Sequence, residues 1–268
     1  MEKQSHIGFG DMAVSHRRIK SVFFEQMNSL LDWKRIEKVI NKHYSKGESV
    51  AGRPSYPGLL LFKMTLLQTW YGLSDYEVED QVKDRISFSR FVGVSMDDNV
   101  PDHSVISRFR TALTNSGAYE KLLNEVNKQL EEHSILLRTG VIVDASITDS
   151  PRKPRGKKEY EAVEDRNEDT GEIVTKAVEK VQRHVDTGAA WIKKGNRLRF
   201  GFKQHTATDD NGLVVGIVTT SANESDIVHL DDALEKVPLE PRATVKADKG
   251  YKSTNNDNAI KERGFKNY

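Results

Sequence analysis

The chain contains no cysteine among its 268 residues, which excludes disulfide frameworks, thiolate zinc sites and cysteine nucleophiles together. Any metal must be held by oxygen or imidazole. There is no run of about 18 apolar residues, and residues 1–20 lack the apolar stretch of a secretion signal. No membrane partner is indicated, and the expected location is the cytoplasm. Net charge is also nearly absent, 41 Lys and Arg against 40 Asp and Glu, which argues against a uniformly basic nucleic-acid binder. What is present is 37% hydrophobic residues, enough for one large or two modest domains, and 30% charged residues that are segregated along the chain. His16-Arg17-Arg18 with Lys20, the run Arg152-Lys153-Pro154-Arg155-Gly156-Lys157-Lys158, and the set Lys193, Lys194, Arg197, Arg199 and Lys203 are basic, whereas residues 159–169 are acidic. Each block reads either as a solvated face or as a contact surface.

The first 135 residues read as helices. Phe23, Met27, Leu30 and Leu31, then Ile36, Val39 and Ile40, recur at helical spacing. Residues 59–71 are apolar nearly all round and stop at Gly72, which predicts a buried central helix with a glycine cap. Ser74-Asp75-Tyr76-Glu77 has the form of a capping box. Asp102-His103-Ser104 precedes a helix with Val105, Ile106, Phe109 and Leu113 on one side and Arg108 and Arg110 on others, a candidate DNA-facing helix. From residue 136 the period changes. Residues 141–148 read as a buried strand, and residues 151–195 as a charged insertion or mobile loop. Asp209-Asp210-Asn211-Gly212 is a hairpin turn between strands at 200–208 and 213–220. A helix at 226–237, a strand at 243–247, a helix at 254–263 and the start of a strand at 265–268 complete the order.

Two aspartates occupy matching places in that order. Asp144 sits inside an apolar strand, where an unpaired carboxylate costs several kcal/mol. Asp248 directly follows the strand at 243–247, and Gly250 allows a sharp turn behind it. Side by side, the two resist joint ionisation unless a cation holds them, and Mg2+ is the natural one. Turn capping and a structural ion pair are the alternative readings. Asp102 and His103 fit capping or DNA contact, and His205 fits a satisfied sheet residue or a site residue. Trp70 and Tyr71 fit the core better than a base-stacking platform, and Asn223 and Asp226 fit helix caps.

Gly52-Arg53-Pro54-Ser55-Tyr56-Pro57, Tyr71-Gly72-Leu73-Ser74-Asp75, Phe88 to Gly93, and Pro101-Asp102-His103-Ser104 to Phe109 resemble the N-terminal domain of bacterial insertion-sequence transposases of the IS-five group. Val143-Asp144-Ala145-Ser146, Lys193-Lys194 with Phe200-Gly201-Phe202-Lys203-Gln204-His205, Thr220-Ser221-Ala222-Asn223 and Ala247-Asp248-Lys249-Gly250-Tyr251 resemble that family's DDE catalytic domain in the same order. The resemblance covers nearly the whole chain.

It implies an α + α/β protein: residues 1–135 form an all-helical DNA-binding domain, and residues 136–268 an RNase H-like mixed-sheet domain with the insertion at about 151–195. Asp144 and Asp248 match the first two catalytic acids and metal ligands, with Mg2+ or Mn2+ as cofactor. The family's third acid is a glutamate on a helix beyond the strand in which this sequence stops. The resemblance therefore implies an incomplete catalytic domain, since Asp257 and Glu262 both precede that strand. The implied activity is strand cleavage and strand transfer at terminal inverted repeats by a homodimer on double-stranded DNA, in contact with element ends and target at the nucleoid. The alternatives are an inactive DNA-binding remnant or competitor, and an RNase H-like nuclease unrelated to transposition. Expected DNA contacts are Arg17, Arg18, Arg108, Arg110, Arg152, Lys153, Arg155, Lys157, Lys158, Lys203 and Lys249.

Overall fold

The computed structural model describes residues 22–44, 55–152, 154, 160–166, 173–179 and 185–268. The chain divides into two compact units, one ending at Leu136 and the other running from Leu137 to Tyr268. No helix among the described residues is long and apolar enough to cross a membrane.

In the first unit, helices α1 (Val22–Leu30), α2 (Trp33–His43), α3 (Gly58–Tyr71), α4 (Asp75–Asp84), α5 (Ile86–Val92), α6 (His103–Asn115) and α7 (Ala118–Glu132) follow one another. The apolar helix predicted from the sequence is α3, and it is the hub because it buries residues on every side, Leu61, Phe62, Met64 and Leu67 among them. Phe24, Val78, Val82, Phe88, Phe91 and Ile106 pack with Met64 and Leu67, while Ile36, Ile40, Phe109, Leu113 and Leu122 pack with Leu61 and Phe62. Gly72, at φ 65°, closes α3 with its N–H donating to Gln68 O. The Ser74 capping box forms as read, its hydroxyl accepting from Glu77 N–H while the Glu77 carboxylate accepts from Ser74 N–H. Asp102 caps α6 by accepting from Val105 N–H at 2.9 Å, and the backbone N–H of His103 donates to Glu79 at 2.8 Å. Trp70 packs in the aromatic core, with its ring 4.8 Å from Phe23 and 5.5 Å from Phe91.

The second unit is built on a six-stranded sheet. Strand β5 (Arg197–Thr208) is flanked by β1 (Gly140–Asp149) on one edge and by β4 (Ala190–Lys194) and β6 (Val214–Ser221) on the other; β7 (Thr244–Ala247) and β8 (Lys266–Asn267) extend it beyond β1. The β1–β7 and β7–β8 pairs are parallel and the others antiparallel. A 3-10 turn (Asp226–His229), α8 (Leu230–Glu235), a second 3-10 turn (Lys249–Tyr251) and α9 (Thr254–Glu262) complete the unit. The turn at 209–212 forms with Gly212 at φ 83° and Asp209 N–H donating to Leu213 O.

The segment at 151–195 differs from its expectation as a plain insertion or loop. It contains a separate antiparallel pair, β2 (Tyr160–Arg166) with β3 (Ile173–Glu179), and also β4. Its register sets Val163 opposite Lys176 and Glu161 opposite Val178, so apolar and charged residues mix across the pair and the sequence carries no apolar period to read.

Candidate active site

The register of β1 against β7 sets Val141 beside Val245 and Val143 beside Ala247. Asp144 and Asp248 each stand one residue beyond the last of these pairs, on neighbouring strands about 4.8 Å apart. Alternation along β1 buries Val141 and Val143 and exposes Ile142 and Asp144. The cost expected for a carboxylate inside an apolar strand therefore does not arise, because Asp144 lies on the open face of the sheet. Asp248 is exposed as well. Asp144 Oδ1 accepts from Ala145 N–H at 2.8 Å, and Asp248 Oδ1 from Lys249 N–H at 2.6 Å. One oxygen of each carboxylate is thus oriented by the next amide. Among the described residues no Lys, Arg or His forms an ion pair with either aspartate, and no three His, Cys, Asp or Glu side chains gather into a metal-binding group.

Behind the pair, on the covered face, lies a paired polar cluster. Tyr251 is buried and its hydroxyl sits 2.7 Å from His205 Nδ1, while His205 Nε2 sits 3.3 Å from Thr220 Oγ1. Burial lowers the imidazole pKa, helped by the neighbouring His229, so the neutral ring is favoured. The Tyr251 phenol is pushed well above its ordinary range by burial first, then by the charges of Asp226, Asp144 and Asp248. Tyr251 therefore stays a neutral hydrogen-bonding group. Lys203 Nζ donates to Glu224 O and lies 2.8 Å from Asp226 Oδ1, close enough for an ion pair although off the line of a hydrogen bond.

Several expectations are corrected by these contacts. Lys203, expected to contact DNA, is only 7% exposed: on β5 it shares the covered face with His205 and Ala207, and its charge is spent on Asp226. Asp226 and Asn223 do not cap the following turn, where Ser225 is the N-cap and no side chain caps it. Gly250 is not in the positive-φ region; its missing side chain instead makes room for Asp226, whose Oδ2 would lie 3.2 Å from a Cβ there. The residues that sequence reasoning missed are the Lys203–Asp226 and His205–Tyr251 pairs. Alternation along 201–207 was the signal for the first.

Of the other expected DNA contacts, Arg108, Arg152 and Lys249 are exposed. Arg110 is partly buried and engaged, donating to Asp75 at 2.7 Å. Arg17, Arg18, Lys153, Arg155, Lys157 and Lys158 lie outside the described residues. Asp257 and Glu262 both belong to α9; Asp257 accepts from Asn267 Nδ2 at 2.5 Å and borders, with Asp248, Lys249 and Lys252, a cavity of about 410 Å3.

Two family models match the chain. Residues 13–112 match one described as a transposase domain (DUF772), and residues 136–267 match one described as a transposase DDE domain. No solved structure matches the chain.

Proposed function

The chain is a DDE transposase of an insertion sequence, and on that premise we propose that Asp144 and Asp248 hold the divalent cation used for strand cleavage and strand transfer at the element's terminal inverted repeats. The observation that carries this reading is the parallel register that sets two exposed carboxylates without counter-ions among the described residues side by side, Asp144 midway along β1 and Asp248 just past the end of β7. Their donor set is all oxygen, which suits Mg2+ or Mn2+ with water and DNA phosphate oxygens as remaining ligands. Such an ion, when bound, polarises the scissile phosphate and favours ionisation of the attacking water or 3′ hydroxyl.

The chain's own residues do the positioning. The amides of Ala145 and Lys249 fix one oxygen of each carboxylate, leaving the other free to turn outward. The buried Tyr251 and His205 hold the turn after Asp248 against β5, so that the second acid stays at the strand end. Lys249, exposed next to Asp248, meets phosphate beside the acids, and Arg152, exposed beyond the far end of β1, meets the duplex further along. The order of strands around β1, antiparallel to β5 and parallel to β7, supports an RNase H-like catalytic domain, and the ordered motifs support the IS-five group. Two element ends call for a homodimer on DNA, working on the nucleoid in the cytoplasm.

The test is a gel assay of the full chain on duplex DNA carrying the element's end, with and without Mg2+, beside calorimetric titration of Mn2+ into wild type and Asp144→Ala. Expected are Mg2+-dependent nicking and joining, both lost in Asp144→Ala together with Mn2+ binding. Nicking that survives Asp144→Ala overturns the assignment of the acids, and cleavage without joining overturns strand transfer.

A further inference from the structure

β5 is 12 residues long, yet the core of the sheet uses only part of it. Pairing with β1 begins at Gly201 and with β6 at Phe202. Past the Ser150 N–H that donates to Phe200 O, residues 197–199 have backbone pairing to β4 alone, so β4 and the start of β5 leave the sheet as a two-stranded ribbon, turned at Gly195 with φ 61°. Gly201 marks the departure point: a Cβ there would lie 2.0 Å from Thr148 O, so only glycine lets β5 pass β1 this closely.

The ribbon has an unusual surface. Residues 190–200 read Ala-Trp-Ile-Lys-Lys-Gly-Asn-Arg-Leu-Arg-Phe, with four cations and no acid. Arg199 is neutralised by Asp149, at 2.8 and 2.9 Å, and holds the ribbon's base to the end of β1. Lys193, Lys194 and Arg197 are exposed and have no ion-pair partner among the described residues. Beside them Trp191 is 53% and Leu198 68% exposed, a solvation cost that a contact surface explains. Cross-strand pairing sets Trp191 with Phe200, rings 5.3 Å apart, and Lys193 with Leu198 on one face. Two-residue alternation carries that face along Phe202 and Gln204 to Thr206, the partner of Asp144. Trp191 and Asp144 therefore share one side of the sheet, about 20 Å apart along β5, roughly six base-pair steps of a duplex.

The geometry points to the β4–β5 ribbon as a DNA-holding arm for the duplex that flanks the cleavage site. Lys193, on the face of Trp191, and Lys194 with Arg197, paired on the ribbon's opposite face beside its turn, reach phosphates on either side of the ribbon, and Trp191 lies against a base or sugar face. A two-stranded ribbon fits the major groove, and unpaired cations interleaved with an exposed indole match a polyanion carrying aromatic bases. A second copy of the chain would have to bring an acidic, apolar patch to the same place. The inference rests on the transposase reading for the identity of its partner.

The experiment measures anisotropy of a fluorescein-labelled random-sequence duplex, about three helical turns long, with the full chain across a salt series. The proteins are wild type, the triple variant Lys193→Gln, Lys194→Gln, Arg197→Gln, and Trp191→Ala, with circular dichroism and size exclusion on each. In the triple variant the slope of log Kd on log salt should fall by about 2 to 3, since each phosphate contact contributes about 0.9. Trp191→Ala should weaken binding about ten-fold while leaving the slope unchanged. Folded variants with wild-type affinity and slope overturn the arm while leaving the transposase reading intact. A wild type that binds no duplex removes both. An altered oligomeric state with unaltered DNA affinity assigns the ribbon to a protein contact and overturns the proposal.

Discussion

On one face of the catalytic unit's sheet, the buried Lys203 and His205 meet charged or hydroxyl groups of the fold; on the other, two carboxylates stand in the open, each with only the amide of the next residue and no counter-ion among the described residues. Lys203 meets Asp226 and Glu224, and His205 meets Tyr251 and Thr220, beneath a cover that includes Leu230, Ala233, Leu234 and Val237. Asp144 and Asp248 share the open side with Ile142 and, across the sheet, Ile217. The difference teaches that burial does not separate structural from chemical polar residues here. Charge pairing does: the covered Lys203 meets an opposite charge within the fold, whereas the open pair has no counter-ion among the described residues.

That contrast can be broken from either side. The largest expected effect is on activity: Asp144→Asn removes cleavage to the uncatalysed background while shifting stability by no more than about 0.5 kcal/mol, as for an exposed site without a counter-ion. Nicking assays and urea unfolding on one preparation check it; a large loss of stability would mean the open face has a structural duty. Lys203→Met should do the converse, leaving Asp226 charged and unpartnered below the sheet and costing about 3–5 kcal/mol, with Mn2+ affinity retained wherever the variant is folded. If Lys203→Met binds the ion far more weakly at full stability, the covered cluster belongs to the site rather than to the scaffold. Gly201→Ala lies between the faces, at the backbone itself. With Thr148 O and the Asp149 Cα already 2.0 and 2.9 Å from the added carbon, overpacking of about 1–3 kcal/mol is expected, read as a lowered urea midpoint.

Much of the fold could be read from sequence because its signals are local. The Ser74–Glu77 box, the Gly72 stop and the turn at 209–212 each depend on a few adjacent residues whose chemistry admits one backbone shape. The placement of Asp144 inside one strand and of Asp248 just after another was also legible, since strand limits show in the apolar pattern. The face on which each side chain lies was not. Lys203 was read as a basic residue in a basic block, yet two-residue alternation puts it with His205 and Ala207 under the cover. Its partner Asp226 is 23 residues away in the chain, on a turn whose position no local pattern encodes. The ribbon escaped for the same reason: that residues 197–199 pair with β4 alone is a property of the sheet's registers, not of any one segment.

The smallest expected effect tests whether the covered cluster is complete as drawn. His205 has both ring nitrogens near hydroxyls, Tyr251 at 2.7 Å and Thr220 at 3.3 Å, with the His229 ring tilted against it at 5.1 Å. Lys203 and His229 oppose a second positive charge there, while Asp226 and Asp232 favour it, and burial outweighs all of them, so the folded pKa lies below the ordinary 6.5. In the window between the folded value and 6.5 the unfolded chain binds the extra proton and the folded chain does not, so stability rises with pH across it. The contribution is complete above 6.5 and is lost as pH falls through the folded value. Urea unfolding between about pH 7.5 and pH 5 should show a shallower pH dependence in His205→Gln than in wild type. An unchanged dependence would mean that the ring accepts its proton as readily folded as unfolded, so that the covered face, like the open one, leaves a charge for something outside the chain to satisfy.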